Sequence, residues 1–181
     1  IAKPFLTEEE ATAAHDTILT GWITQGPKVQ EFEEKFAAYT GAKYAVAVSN
    51  CTTGLHLAMI VAGIKEGDEV ICPSMSYVAT ANAIQYVGAR PVFAEVNESY
   101  NLNIEDVKRK ITDKTKAILL VHQIGMPGDI DSFSKLCLDH NLALIEDAAC
   151  AAGSAYKGKK IGQHSSLVCF SFHPRKVIST G

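Results

Sequence analysis

Leu144-Ile145-Glu146-Asp147-Ala148-Ala149 is a short apolar run that ends in two acids. Nearly continuous apolar runs of this length mark strands covered on both faces. An acid where such a strand stops lies at the carboxyl edge of a sheet, where open α/β folds bind ligands. A second run of the same kind, Val168–Phe172, is closely followed by Lys176 in Ser171-Phe172-His173-Pro174-Arg175-Lys176. Each residue also has a plain explanation. Asp147 suits the N-cap of a following helix, and a lysine is most often a solvated surface residue.

Working outward from that run, strand and helix alternate from Lys43 onward. Strands are predicted at Tyr44–Val48, Glu69–Cys72, Pro91–Val96, Ala117–Val121, Ala143–Ile145 and Val168–Phe172. Helices are predicted at Thr52–Ile64, Tyr77–Val87, from Asn103 to Ile111, and Asp131–His140, with a hairpin turn at Gly158-Lys159-Lys160. This pattern implies an α/β fold, a mostly parallel sheet with helices on both faces. Ahead of it, Thr7-x-x-Glu10 is a capping box for a helix from Glu8 to about Leu19. Pro27 suits the first turn of a second helix, whose Val29, Phe32, Phe36 and Ala37 share a face. The expected division is a helical arm over residues 1–40 and a ligand-binding large domain over 41–181.

The chain has 181 residues, 47% of them hydrophobic and 20% charged, with a net charge of −3. That is enough for one sizeable core. The balance excludes a disordered chain and a basic nucleic-acid surface. No apolar run reaches the roughly 20 residues of a membrane helix. The five cysteines are scattered without a C-x-x-C pair, so neither a disulfide framework nor a zinc site is expected. Ile1-Ala2-Lys3-Pro4 leads directly into an acidic segment, without the pattern of a signal peptide. A cytoplasmic setting is expected.

A lysine beyond one strand and an acid at the end of another suit pyridoxal phosphate (PLP). The amine bonds the aldehyde, and the carboxylate keeps the pyridine nitrogen protonated. Ser49-Asn50-Cys51-Thr52-Thr53-Gly54 is a strand-to-helix turn of small polar residues, which suits a phosphate or an ordinary N-cap. It is neither G-x-G-x-x-G nor a Walker sequence. Tyr77, after the next strand, suits stacking on an aromatic ring or packing at a helix start. His56 sits in an apolar helix face and reads as packed; His122 and His173 are nearer the candidate site.

Six segments, taken in order, resemble the DegT/DnrJ/EryC1/StrS family of sugar aminotransferases. They are Gly21-Trp22-Ile23-Thr24-Gln25-Gly26-Pro27, Ser49–Ala58, Pro73–Thr80, Val121-His122-Gln123-Ile124-Gly125-Met126-Pro127, Glu146-Asp147-Ala148-Ala149 and Ser171–Lys176. The likeness spans essentially the whole chain. It implies the large domain of PLP transferase fold type I, the aspartate aminotransferase-like fold. It also implies that Lys176 forms the Schiff base and shuttles the proton, and that Asp147 pairs with the pyridine nitrogen. Tyr77 would stack on the ring, the amides of Thr52 and Thr53 would hold the phosphate, and Ser171 would add a phosphate contact. The implied reaction moves an amino group from an amino acid, L-glutamate being expected, to a nucleotide-linked keto-sugar. Position C4 of a 4-keto-6-deoxy sugar is preferred, and a homodimer is implied. Two departures stand out. Cys150 occupies a position where the family often has His or Gln. Family members are also considerably longer, so a longer enzyme is expected, of which this is the N-terminal part. Alternatives are a sugar dehydratase of the same fold, whose members carry histidine in place of the lysine, and a non-catalytic, regulatory cofactor-binding module.

Overall fold

The computed structural model describes residues 4–180; the first three residues of the expected arm, and Gly181, lie outside the described residues. Thr7 opens α1 (Glu8–Leu19) with the expected capping box. Its hydroxyl accepts the N–H of Glu9 at 3.3 Å, and the Glu10 carboxylate accepts the N–H of Thr7 at 2.5 Å. No residue of α1 is buried. Pro27 starts α2 (Pro27–Thr40), where its missing N–H costs nothing, and Gly41 ends it at φ 78°. The stripe expected on α2 packs inward: Phe36 meets Phe170 edge-on at 5.0 Å and Phe172 at 5.1 Å.

Five strands make one parallel sheet. In chain order they are β1 (Glu69–Pro73), β2 (Arg90–Ala94), β3 (Thr115–Val121), β4 (Ala143–Ala148) and β7 (Leu167–Phe170). Between the last two, β5 (Ala155–Tyr156) and β6 (Lys159–Lys160) form the expected small hairpin, turning at Lys157 and Gly158 with positive φ. The spatial order of the large sheet is β2-β1-β3-β4-β7. The chain thus steps from β1 out to β2, then returns to the other side of β1 for β3. Loops leaving β1 and β3 part at their carboxyl ends, which opens a crevice there.

Strand side chains alternate faces, so the two cores follow from counting by twos. Val70, Cys72, Ala117, Leu119 and Ile145 pack with Leu55, Ala58 and Met59 of α3 (Cys51–Val61) and Ala83 and Ile84 of α4 (Val78–Gln85). Ile71, Ile118, Leu120 and Ala148 pack on the other side. There they meet Val107 of α5 (Ile104–Lys110) and Phe133 and Leu136 of α6 (Ile130–His140). Ile118, Leu119 and Leu120 are wholly buried, each worth about 1.5–3 kcal/mol relative to exposure. By the same count, Asp147 shares the α3/α4 face with Ile145, while Glu146 shares the α5/α6 face with Ala148.

One expected strand does not form. Tyr44–Val48 joins no ladder among the described residues. Tyr44 and Val46 are 75% and 77% exposed. The segment is held instead by side chains, with the N–H of Ala47 donating to Glu33 Oε1 at 2.7 Å and Gln25 Nε2 donating to the Ala47 carbonyl at 3.4 Å. Other boundaries move by a few residues: β2 ends at Ala94 rather than Val96, β3 begins at Thr115 and α3 ends at Val61. Near the site, β4 runs on through Asp147 to Ala148, and β7 stops at Phe170, leaving Ser171 and Phe172 beyond the ladder.

Candidate active site

Asp147 lies on β4, between β3 and β7, facing α3 and α4 near the sheet's carboxyl edge. No helix follows it, so it is not an N-cap. Its carboxylate has two donors: the hydroxyl of Thr80 reaches Oδ2 at 2.9 Å, and the N–H of Ala149 reaches Oδ1 at 3.1 Å. Burial pushes this carboxyl above its ordinary range; those two hydrogen bonds and the charge of Lys176 pull against it. A carboxylate in this state favours a further donor or a nearby cation.

Lys176 follows β7 in a tight turn, its N–H donating to the His173 carbonyl at 2.8 Å. Its Nζ donates to Cys150 Sγ at 3.2 Å. Lys176 and Asp147 both act on the ionisation of Cys51, at the first position of α3. The fold therefore gathers Asp147, Lys176, Cys150 and the start of α3.

At that start, Asn50 caps the helix, its Oδ1 accepting the N–H of Thr53 at 2.9 Å. The Thr53 amide is thus already bonded. The first-turn N–H of Thr52 has no partner among the described residues, and it lies at the positive end of the helix. α3 packs against the end of β7: a Cβ at Gly54 would stand 3.7 Å from Cys169 Sγ, an ordinary contact. Ser171, just past β7, is buried and accepts the N–H of His173 at 3.4 Å. Tyr77 is the N-cap of α4, 77% exposed, its ring uncovered where the β1 loop ends.

His122 is buried rather than lining an opening. Its Nδ1 accepts the N–H of Gly128 at 3.1 Å, so the ring proton sits on Nε2, which donates to Glu146 Oε2 at 2.7 Å. His56 packs edge-on against Tyr86 at 5.6 Å. His173 is exposed, its Nδ1 accepting the N–H of Arg175. Among the described residues, no cluster could hold a metal ion and no helix is long and apolar enough to cross a membrane. A separate groove of about 940 Å³ lies between α1 and the start of α2, lined by Thr12, Asp16, Trp22 and Pro27 among others; it contains neither Asp147 nor Lys176.

A model of the DegT/DnrJ/EryC1/StrS aminotransferase family matches residues 4–181. The chain belongs to this family. GDP-perosamine synthase of Escherichia coli O157:H7 is 44% identical over 183 residues, covering 100% of this chain and 50% of the relative. A crystal structure of 3-amino-5-hydroxybenzoic acid synthase superposes with a TM-score of 0.95 at 36% identity, over 100% of this chain and 48% of that one. Spr1654 of Streptococcus pneumoniae, in its PLP form, gives 0.95 at 32% identity, over 98% and 50%. The chain spans about half the length of the curated relatives it matches. The parallel sheet with helices on both faces is that of the family's large domain.

The residues present fit a PLP group. An amine, a buried acceptor-only carboxylate and an unpaired first-turn N–H answer its aldehyde, ring nitrogen and phosphate. Sequence reasoning missed Thr80, Ser76 and the Glu146–His122 pair. No local signal marks Ser76 and Thr80 as partners, because Ser76 lies before the N-cap Tyr77 and only the turn into α4 brings the two hydroxyls together.

Proposed function

We propose that this chain carries the cofactor-binding part of a PLP-dependent aminotransferase, with Lys176 as the residue that bonds the cofactor and then moves the proton. The buried Asp147 carboxylate, at the carboxyl edge of the sheet and drawn by the charge of Lys176, carries this reading. When bound, PLP supplies an electron sink for the carbon that loses its proton. Asp147 holds the ring nitrogen protonated, Tyr77 covers a ring face, and Thr52, Thr53 and Ser171 face the phosphate. Asn50 Oδ1 accepts both the N–H and the hydroxyl of Thr53, so Thr52 contributes its amide directly, whereas Thr53 reaches the phosphate by giving up a bond to Asn50. In this reading residues 41–181 form the cofactor domain and 1–40 an arm. The functional unit is a homodimer in the cytoplasm.

The substrate reading is finer. An amino acid, L-glutamate, gives the amino group, and a nucleotide-linked keto-sugar, at C4 of a 4-keto-6-deoxy sugar, receives it. Identity of 44% to a GDP-perosamine synthase supports a nucleotide-linked sugar as the acceptor.

The test uses the full-length protein. A bound cofactor gives an absorbance band at roughly 410–430 nm, which L-glutamate should bleach. Lys176→Ala should lack the band. Persistence of an unchanged band in Lys176→Ala would overturn the assignment. A panel of nucleotide-linked keto-sugars then tests the acceptor; failure of every 4-keto sugar, with turnover of a 3-keto sugar, would overturn the C4 preference.

A further inference from the structure

Thr80 is 1% exposed and stands third in α4, where its own helix offers no carbonyl one full turn back. Deeper in a helix, a threonine hydroxyl commonly bonds that carbonyl. Thr17 does so in α1, reaching Ala13 O at 2.7 Å, and Thr40 does so in α2, reaching Phe36 O at 2.9 Å. Thr80 Oγ1 reaches instead to Asp147 Oδ2 at 2.9 Å, across 67 positions of sequence. Ser76, in the loop just ahead of α4, brings its Oγ to 2.7 Å from Thr80 Oγ1. An ionised carboxylate only accepts, so Thr80 donates to Asp147, and Ser76 must then donate to Thr80. The result is a one-way chain, Ser76 to Thr80 to Asp147, in which each bond polarises the next.

We propose that Thr80, backed by Ser76, is the positioning residue that aims the Asp147 carboxylate at the cofactor's ring nitrogen. The inference rests on the PLP reading above and deepens it. Thr80 also donates its own N–H to the Tyr77 carbonyl at 3.0 Å, so the same turn of α4 carries the exposed Tyr77 ring. One turn thereby couples the face of the cofactor ring to the charge state of its nitrogen. With Thr80 on Oδ2 and Ala149 on Oδ1, each oxygen keeps one lone pair for the ring.

The test is a binding cycle on full-length apoprotein. The two ligands are PLP and its 1-deaza analogue, which has carbon in place of the ring nitrogen. Wild type should bind PLP more tightly. Thr80→Val, which keeps the shape and loses the hydroxyl, should shrink that preference by about tenfold, as expected for a hydrogen bond to a charged group. Thr80→Ser should restore it to within about twofold. Ser76→Ala, in a half-buried position, should shrink it by a smaller factor, which keeps the test open if Thr80→Val does not fold. Equal weakening of both ligands, or no change in their ratio, would overturn this inference alone. Failure of wild type to bind PLP would overturn the function reading as well.

Discussion

Asp147 is costly to keep charged, and that cost can be measured. Burial raises its folded-state pKa above the ordinary 3.8, so between the two values the folded protein holds the proton more tightly than the unfolded chain. Stability contributed by this proton is present below 3.8 and is lost as pH rises through the folded value. Asp147→Asn removes the burden. The cofactor-free variant should therefore melt above wild type at neutral pH, with the gap closing as pH falls toward 3.8. A lower melting temperature at neutral pH would contradict the assignment of burial as the dominant cause. The variant should also lose PLP, a trade of stability for function. The thiols nearby divide in the same way. Burial pushes Cys169 up to about 12 and Cys51 further still, so both resist alkylation. Cys150, half-buried like those two, differs in that its sulfur accepts from Lys176. A small alkylating agent should label Cys150 first, seen by peptide mass mapping, and block cofactor capture; Cys150→Ser should capture PLP and resist the agent.

At the scale of elements, the start of α3 has the most to lose. Asn50→Ala removes the cap on Thr53 and should cost about 1 kcal/mol in denaturant unfolding, within a usual range of 0.5–2. Asn50→Asp should cost much less, since an acid also caps and suits the helix's positive end. Equal losses in the two variants would contradict the cap. Helices and central strands were legible in the sequence because their causes are local. The Thr7 capping box, Pro27 at a first turn, Asn103 before α5 and the apolar run of β3 all act within a few residues. Tyr44–Val48 shows where this stops. Its composition favours a strand, but a ladder needs a neighbour, and β7 meets only β4 among the described residues. The site divides likewise. Asp147 and Lys176 were legible as residues beyond apolar runs. The Thr80–Asp147 bond was not, because its partners come from separate elements.

Across the whole molecule, β4 carries two adjacent acids that serve opposite faces. Asp147 turns to α3 and α4; Glu146 turns to the α6 side, where its side chain and that of His122 are both fully buried. The pair ties β3 to β4 behind the candidate site, and through the N–H of Gly128 it also fixes the loop that leaves β3. That loop is constrained at its other contacts too. The N–H of Gln123 donates to Asn101 Oδ1, and Ser154 Oγ donates to the Gly125 carbonyl. His122 is neutral in this arrangement, because Nδ1 must offer a lone pair to Gly128. Glu146 therefore lacks a full counter-charge from it, and its Oε1 has no partner among the described residues. Removing one partner is then worse than removing both. His122→Leu leaves the second Glu146 oxygen without a donor and should cost about 1–3 kcal/mol, whereas replacing both residues with leucine should restore much of that. Denaturant unfolding of the two single leucine variants and the double variant gives the coupling directly. If the single costs simply add in the double variant, Glu146 and His122 do not act as a unit.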